Sequence, residues 1–328
     1  MHDNRGFFSA LIGDGRPLLI FTGLCLVMSG AFALFLSATG HFLPHDVLYL
    51  GMEPADLCAI NECRIVHFMF HDRVSFGGAI IAVGVMYMWL AEFPLRHGEA
   101  WAWWLFLLSG IIGFGSFLAY LGYGYLDSWH GAATLALLPC FIVGLVRSYV
   151  TLHKPAPLRD LFTSPVPWRD YSPRGLGRLA MLVTALGMIG AGLTIMTVGM
   201  TVVFVPQDLS YMGITADELR AINPRLIPLI AHDRAGFGGG VATAGLLIFF
   251  SVLHARPSRS LWQALFIAGL AGFSTAVGIH PVIGYTDFLH LAPAAIGAMA
   301  FGLGLLLTFR VMMETSERSE SARAAAEV

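Results

Sequence analysis

Eight long runs of apolar residues, separated by shorter polar segments, dominate the pattern of the chain. Each run has about 20 residues, the length that a helix needs to cross the hydrocarbon core of a bilayer. Because backbone groups in lipid must hydrogen-bond to one another, the runs predict transmembrane helices and hence an all-α, polytopic membrane protein. The runs cover residues 18–39, 69–91, 101–122, 128–150, 179–204, 230–253, 261–280 and 288–309.

The composition agrees with this pattern. Hydrophobic residues make up 56% of the 328 residues and charged residues only 12%, about half the charged share of a soluble domain. A lipid bilayer is therefore the expected surrounding of most of the surface. The net charge of −2 gives no indication of nucleic-acid binding.

The distribution of Lys and Arg predicts the orientation of the helices. Positively charged residues concentrate in the cytoplasmic segments of membrane proteins. If the N-terminus is cytoplasmic, 14 of the 19 Lys and Arg residues fall on the inner side and 5 on the outer side. The sequence therefore predicts a multi-pass protein of the inner membrane with both termini in the cytoplasm.

The chain contains an internal repeat. His-Asp-Arg occurs at 71–73 and again at 232–234, and Gly-Tyr-x-Asp-x-x-His occurs at 124–130 and again at 284–290. Matches at one offset along the whole chain indicate two copies of one structural unit. Each copy has four helices and therefore the same orientation, which predicts two tandem four-helix bundles related by a pseudo-twofold axis along the membrane normal.

The repeat and the composition divide the chain into four parts. The first four-helix repeat is expected over residues 1–150 and the second over 176–313. Residues 151–175 are rich in Pro and basic residues and predict a cytoplasmic linker. The polar residues 314–328 predict a cytoplasmic tail.

Ionisable residues recur at the predicted outer ends of four helices. The two His-Asp-Arg triplets fall in the first turns of the second and sixth predicted helices, and an Asp and a His three residues apart begin the fourth and eighth. That spacing places each Asp and His on one helical face, and ionisable groups at this depth usually face the interior of the bundle. The set comprises His71, Asp72, Arg73, Asp127 and His130 in the first half and His232, Asp233, Arg234, Asp287 and His290 in the second.

One interpretation of this set is haem binding. Two histidines from facing helices can ligate the iron of haem b from both sides, and an arginine fork matches a haem propionate. The function would then be that of a membrane oxidoreductase or haem-handling protein, with a redox protein or a quinone as its partner. The predicted axial pairs are His71 with His130 and His232 with His290, and the predicted propionate partners are Arg73 and Arg234.

The same residues fit two other functions. Histidines with carboxylates suit a bare transition-metal ion, with the four histidines and Asp72, Asp127, Asp233 and Asp287 as ligands, or a metal-ion or proton-coupled transporter. In a structural assembly factor, by contrast, Asp127 and Asp287 would cap their helices. The arginines would then pair with these aspartates and close the outer rim.

Two cysteines lie in the first predicted outer loop. Cys58 and Cys63 have four residues between them, and the equivalent loop of the second half contains no cysteine. Outside the cytoplasm such a pair can form a disulfide. We interpret it as a local staple of the loop rather than as a redox centre.

The arrangement resembles the haem A synthase family, which has two tandem four-helix bundles, a histidine on the second and fourth helix of each, and a cysteine pair in the first outer loop. The resemblance implies haem ligation by the four repeated histidines. The Glu-x-x-His-Arg motif of that family is absent, because Phe68 and Leu229 occupy the two Glu positions and Asp72 separates His71 from Arg73. The resemblance therefore implies haem binding without the synthase reaction.

Overall fold

The computed structural model of the chain describes residues 6–118, 125, 128–153, 157–163 and 172–326. Within these ranges the secondary structure is helical, and eight helices are long and apolar enough to cross a membrane. The predicted all-α membrane fold is thereby confirmed. The eight helices are α1 (Arg16–Thr39), α2 (Arg64–Glu92), α3 (Ala100–Leu118), α4 (Ser128–Tyr149), α5 (Pro173–Met200), α6 (Leu226–His254), α7 (Arg259–Ile283) and α8 (Phe288–Ala326).

The helices α2 and α6 begin earlier than the apolar runs predict. Arg64 and His67 interrupt the apolar pattern before residue 69, yet Ile65, Val66 and Phe68 are buried and continue the helix. In α6 a proline at position 228 lies in the first turn, where its missing N–H costs no helical hydrogen bond. Both His-Asp-Arg triplets consequently lie about two turns inside their helices rather than in the first turn.

Pairs of short helices precede α2 and α6 and pack at the same end of the bundle, which we call the capped end. The first helix of each pair begins with Pro, a residue that favours the first helical position, and carries a buried aspartate, Asp46 or Asp208. Cys58 and Cys63 form a disulfide beside the second helix of the first pair. The short helices are Pro44–Leu50 and Pro54–Asn61 before α2, and Pro206–Met212 and Ala216–Ile222 before α6.

Three shorter helical segments complete the described part of the chain. They are Phe7–Ile12, the 3-10 turn Leu95–His97 and the 3-10 turn Leu158–Phe162. The last of these lies within the predicted linker, and α5 begins at Pro173 with Ser172 as its N-cap, so the second repeat starts inside the predicted linker range.

Two central helices, α2 and α6, form the core. Their most apolar segments are 72% and 83% buried, against 17–33% for the six other spanning helices of the described chain. The central helices contact each other, and each also packs against the third helix of the opposite half. Gly78 of α2 allows Thr275 of α7 to approach, and Gly239 of α6 allows the same for Ser116 of α3. The helices of the two halves are therefore interleaved rather than separated into two bundles.

Candidate functional site

Three histidines from three helices converge at the capped end. One ring nitrogen from each of His71, His280 and His290 lies within 4.8 Å of the corresponding nitrogens of the other two. Nε2 of His71 lies 3.2 Å from Nε2 of His280. His71 and His280 are buried, and His290 is partly buried. We call this group the three-histidine cluster.

The turn between α7 and α8 brings two of these histidines together. His280 lies in the last turn of α7, which ends at Gly284 in the left-handed conformation (φ +76°) that favours glycine. His290 lies in the first turn of α8, where its backbone N–H donates to Oδ1 of Asp287 at 2.8 Å. Asp287 is exposed and caps α8. The structure therefore places this predicted metal ligand outside the cluster, in the capping role of the structural interpretation.

His71 is oriented by a carboxylate. Its Nδ1 lies 2.9 Å from Oδ1 of Asp72, whose Oδ2 accepts a hydrogen bond from Nε of Arg234 at 3.1 Å. A carboxylate only accepts hydrogen bonds, so the proton of the neutral His71 ring is on Nδ1. Nε2 then directs its lone pair toward His280. This is the orientation that a neighbouring carboxylate gives to metal-binding histidines.

His290 is oriented by a tyrosine. Its Nδ1 lies 3.2 Å from the hydroxyl oxygen of Tyr285, and the hydroxyl donates to Oδ1 of Asp208 at 2.8 Å. The tyrosine oxygen is then the acceptor for Nδ1–H of His290, which leaves Nε2 free. Burial and the nearby Asp208 carboxylate raise the pKa of Tyr285 above its usual value, so the hydroxyl keeps its proton.

Arg234 connects the hydrogen bonds that orient His71 with those that orient His290. In addition to its contact with Asp72, its Nη1 lies 2.7 Å from Oδ2 of Asp208. Arg73 makes the equivalent contacts in the other half, at 2.8 Å to Asp233 and 2.9 Å to Asp46. Each arginine thus bridges an aspartate of its own half and one of the opposite half. Asp72 and Asp208 are almost fully buried, where a lost partner charge is costly.

A second pair of histidines lies at the related position of the other half. Nδ1 of His130 is 3.1 Å from Nε2 of His232, and the two rings are stacked with their centroids 5.2 Å apart. A cavity of about 60 Å³ adjoins the pair and is also lined by Arg73 and Asp233. The 160-residue offset of Gly124 from Gly284 aligns His280 with Tyr120 in the sequence, a residue outside the described ranges. Among the described residues, the second site therefore has two histidines and the three-histidine cluster has three.

The histidine contacts cross between the two halves. The sequence predicted that His71 pairs with His130 and that His232 pairs with His290. The structure instead brings His71 to His290 and His130 to His232. The physical reason is the interleaved packing, in which each central helix lies against helices of the opposite half.

The ion-pair partners of Arg73 and Arg234 also differ from those expected for a structural assembly factor, which were Asp127 and Asp287. Arg234 forms ion pairs with Asp72 and Asp208, and Arg73 forms them with Asp46 and Asp233. Asp287 instead caps α8, and Asp127 lies outside the described residues. Asp208 and Tyr285 recur in the first half as Asp46 and Tyr125, and this recurrence is the signal that the sequence offers for them. His280 carried no such signal, since its position is not a histidine in the first half.

A large cavity lies beneath the three-histidine cluster. Its volume is about 630 Å³, and side chains from α2, α5, α6, α7 and α8 line it. His71, His280, His290, Asp72 and Arg234 border its end near the short helices, and most of the remaining wall is Ala, Gly, Val, Ile or Phe. The cluster is therefore accessible from an apolar space inside the membrane-spanning region.

Comparison of the chain with protein-family models, curated proteins and solved structures finds no match.

Proposed function

We propose that the protein is a metal-dependent membrane protein that binds one transition-metal ion through Nε2 of His71, His280 and His290. The observation that carries this proposal is the 3.2 Å separation of Nε2 of His71 from Nε2 of His280. Two nitrogens bound to one ion at about 2.1 Å lie roughly 3.0–3.4 Å apart, depending on the coordination geometry. The distance thus matches a shared ion.

The supporting hydrogen bonds agree with this proposal. Nδ1 of His71 is held by Asp72 and Nδ1 of His290 by Tyr285, so Nε2 of each ring is unprotonated, and one nitrogen of each ring lies within 4.8 Å of a ring nitrogen of His280. Nε2 of His71 and Nε2 of His280 are 3.2 Å apart, so a proton or a cation must lie between the two nitrogens. Neutral histidine is a ligand that Zn, Fe, Mn and Cu ions accept, and Asp72 and Asp208 supply negative charge close by.

The cavity supports the proposal of a site that acts on a ligand rather than a purely structural one. Three protein ligands with an open position are typical of catalytic metal sites, whereas structural sites are closed by four. The cluster borders the large cavity on one side. We therefore place the protein among metal-dependent membrane enzymes, with oxidoreductase chemistry as the class that best suits a histidine-ligated ion open to an apolar space.

A second candidate function is the haem binding expected from the sequence. The volume of about 630 Å³ beside His71 and His290 supports it, because cofactor sites have about 300–1,000 Å³. A haem iron would use two of the three histidines, whereas one bare ion can use all three, whose ring nitrogens lie within 4.8 Å of one another. The bare ion is therefore the leading proposal.

Metal analysis and an optical spectrum of the purified protein test both candidates. We expect about one equivalent of a transition metal in a preparation without a Soret band, and an affinity more than about 100-fold lower in His280→Ala, because removal of a ligand costs more than removal of a residue that supports one. His67→Ala is the matched control, since His67 is on α2 one turn before His71 and outside the cluster. A Soret band lost in His290→Ala would favour haem. Protein without metal or colour would contradict both candidates and leave the structural role.

A further inference from the structure

The large cavity extends from the three-histidine cluster deep into the membrane-spanning region. Along α8 its lining residues run from Leu289 to Ala300, which corresponds to about 17 Å of helix rise. That length is about half the thickness of the hydrocarbon core of a bilayer. The cavity therefore has room for an elongated molecule with one end beside the histidines.

The cavity reaches the lipid-facing surface between α5 and α8. Val183 of α5 and Leu289 and Ile296 of α8 line it, yet these side chains are 61%, 71% and 59% exposed. At the opposite end of the bundle the same helices are in close contact, where a Cβ on Gly177 would meet the carbonyl oxygen of Gly304 at 2.9 Å. The opening toward the bilayer therefore does not extend to the end of the bundle opposite the cluster.

An unpaired hydroxyl marks the polar end of the cavity. Ser75 lies one turn after His71 on α2 and lines the cavity. It is 2% exposed, and its Oγ has no hydrogen-bond partner among the described residues. A buried polar group of this kind usually has a partner. A ligand with an oxygen acceptor at this point would supply one.

The charge balance favours an uncharged ligand head. Among the described residues that line the cavity, Arg234 is the one arginine or lysine, and it is already paired with both Asp72 and Asp208, which leaves these residues without a spare positive charge for a phosphate. Phe237 also borders the cavity and lies edge-on to His71, with the ring centroids 6.4 Å apart. An aromatic or quinoid ring packs well in such surroundings.

We infer that the cavity binds a bilayer-soluble, uncharged amphiphile of the quinone class. Its ring oxygens lie beside Ser75 and the three-histidine cluster, and its apolar tail lies along α5 and α8, between which it enters from the lipid. The inference rests on the proposed metal site in one respect, namely that a ring oxygen faces the open position of the ion. The small side chains of the wall provide the space for the ring and the tail.

Two glycines of α5 allow a matched test. Neither a Cβ on Gly187 nor one on Gly190 would meet an atom within 4 Å, so both positions accept a side chain, but Gly187 lines the cavity and Gly190 is not among its lining residues. The probe is a benzoquinone with a ten-carbon tail, titrated into protein in lipid nanodiscs. We expect Gly187→Leu to weaken binding about tenfold or more and Gly190→Leu to bind as the unaltered protein does. Ser75→Ala should weaken binding about five-fold through the lost hydrogen bond.

Equal binding by both glycine variants would overturn the inference, and so would displacement of the quinone by an anionic phospholipid. Metal content measured on the same samples separates the two proposals. Metal without quinone binding contradicts this inference alone. Quinone binding that depends on Gly187 in a protein without metal contradicts the proposed metal site alone.

Discussion

Nε of Arg234 on α6 donates to Oδ2 of Asp72 on α2 at 3.1 Å, across the boundary between the two sequence halves. Asp72 also holds Nδ1 of His71. One buried contact therefore links the packing of the two halves to the orientation of a cluster histidine. Stability and metal binding should respond together when this contact is removed.

Removal of the Arg234 charge is predicted to destabilise the fold. In Arg234→Gln the carboxylates of Asp72 and Asp208 remain buried without their partner, which costs about 3–5 kcal/mol in comparable cases. Unfolding followed by helical circular dichroism in detergent measures the loss. Arg220→Gln is the control, because the Arg220–Asp217 pair is exposed, with side chains 58% and 93% accessible, and should change stability by less than about 1 kcal/mol. Equal effects of the two variants would contradict the prediction.

The tyrosine that supports His290 should tune metal affinity without holding the fold together. Tyr285→Phe keeps the aromatic ring and removes the hydroxyl that bridges Asp208 and His290. Loss of such a supporting hydrogen bond typically lowers metal affinity about 10- to 100-fold. Competition with a metal chelator measures the change.

Tyr211→Phe provides the comparison for Tyr285→Phe. Tyr211 stacks on Tyr285 with the ring centroids 4.5 Å apart, but its hydroxyl donates to the backbone carbonyl of Ile283 and not to a cluster residue. We expect the Tyr211→Phe variant to bind the metal ion as tightly as the unaltered protein does. A similar loss in both variants would indicate a general effect on packing.

The crossed arrangement of the histidines predicts unequal effects of two substitutions. His290→Ala removes a member of the three-histidine cluster, and we expect it to release the metal ion from that site. His130→Ala alters the other site, where His130 contacts His232, and should leave the ion bound to the three-histidine cluster. Metal content after dialysis distinguishes the two variants. Loss of the cluster ion in His130→Ala would instead support pairing within each half.

The sequence was sufficient to predict the eight spans, because apolar runs of bilayer length have few alternative structures in lipid. The repeat likewise identified which polar residues to examine. The repeat did not identify the contacts of these polar residues. In a protein of two equivalent halves, α3 and α7 can each pack against the central helix of the same half or against that of the opposite half. The contacts of Gly78 with Thr275 and of Gly239 with Ser116 show that each of these helices packs on the opposite central helix.

His280 illustrates the limit of the repeat argument. The repeat directs attention to residues present twice, whereas the cluster includes a histidine that occurs in one half only. The start of α2 was missed for a related reason. Arg64 and His67 interrupt the apolar run, yet the short helices of the capped end cover this segment, and its apolar residues are buried.

The disulfide should stabilise the first pair of short helices without affecting the metal site. Cys58 and Cys63 are separated by five positions and close a short loop, so the chain-entropy model gives a stabilisation of about 2 kcal/mol. A variant with Cys58→Ser and Cys63→Ser should therefore unfold at a lower temperature and keep its metal content. The free cysteines Cys25 and Cys140 lie in the spanning helices, and the variant with both of these changed to Ser is the control. A reducing agent should lower the unfolding temperature of this control variant and of the unaltered protein by the same amount. Such a result would assign the effect of the reducing agent to Cys58 and Cys63. Metal lost on reduction would contradict the purely local role assigned to the disulfide.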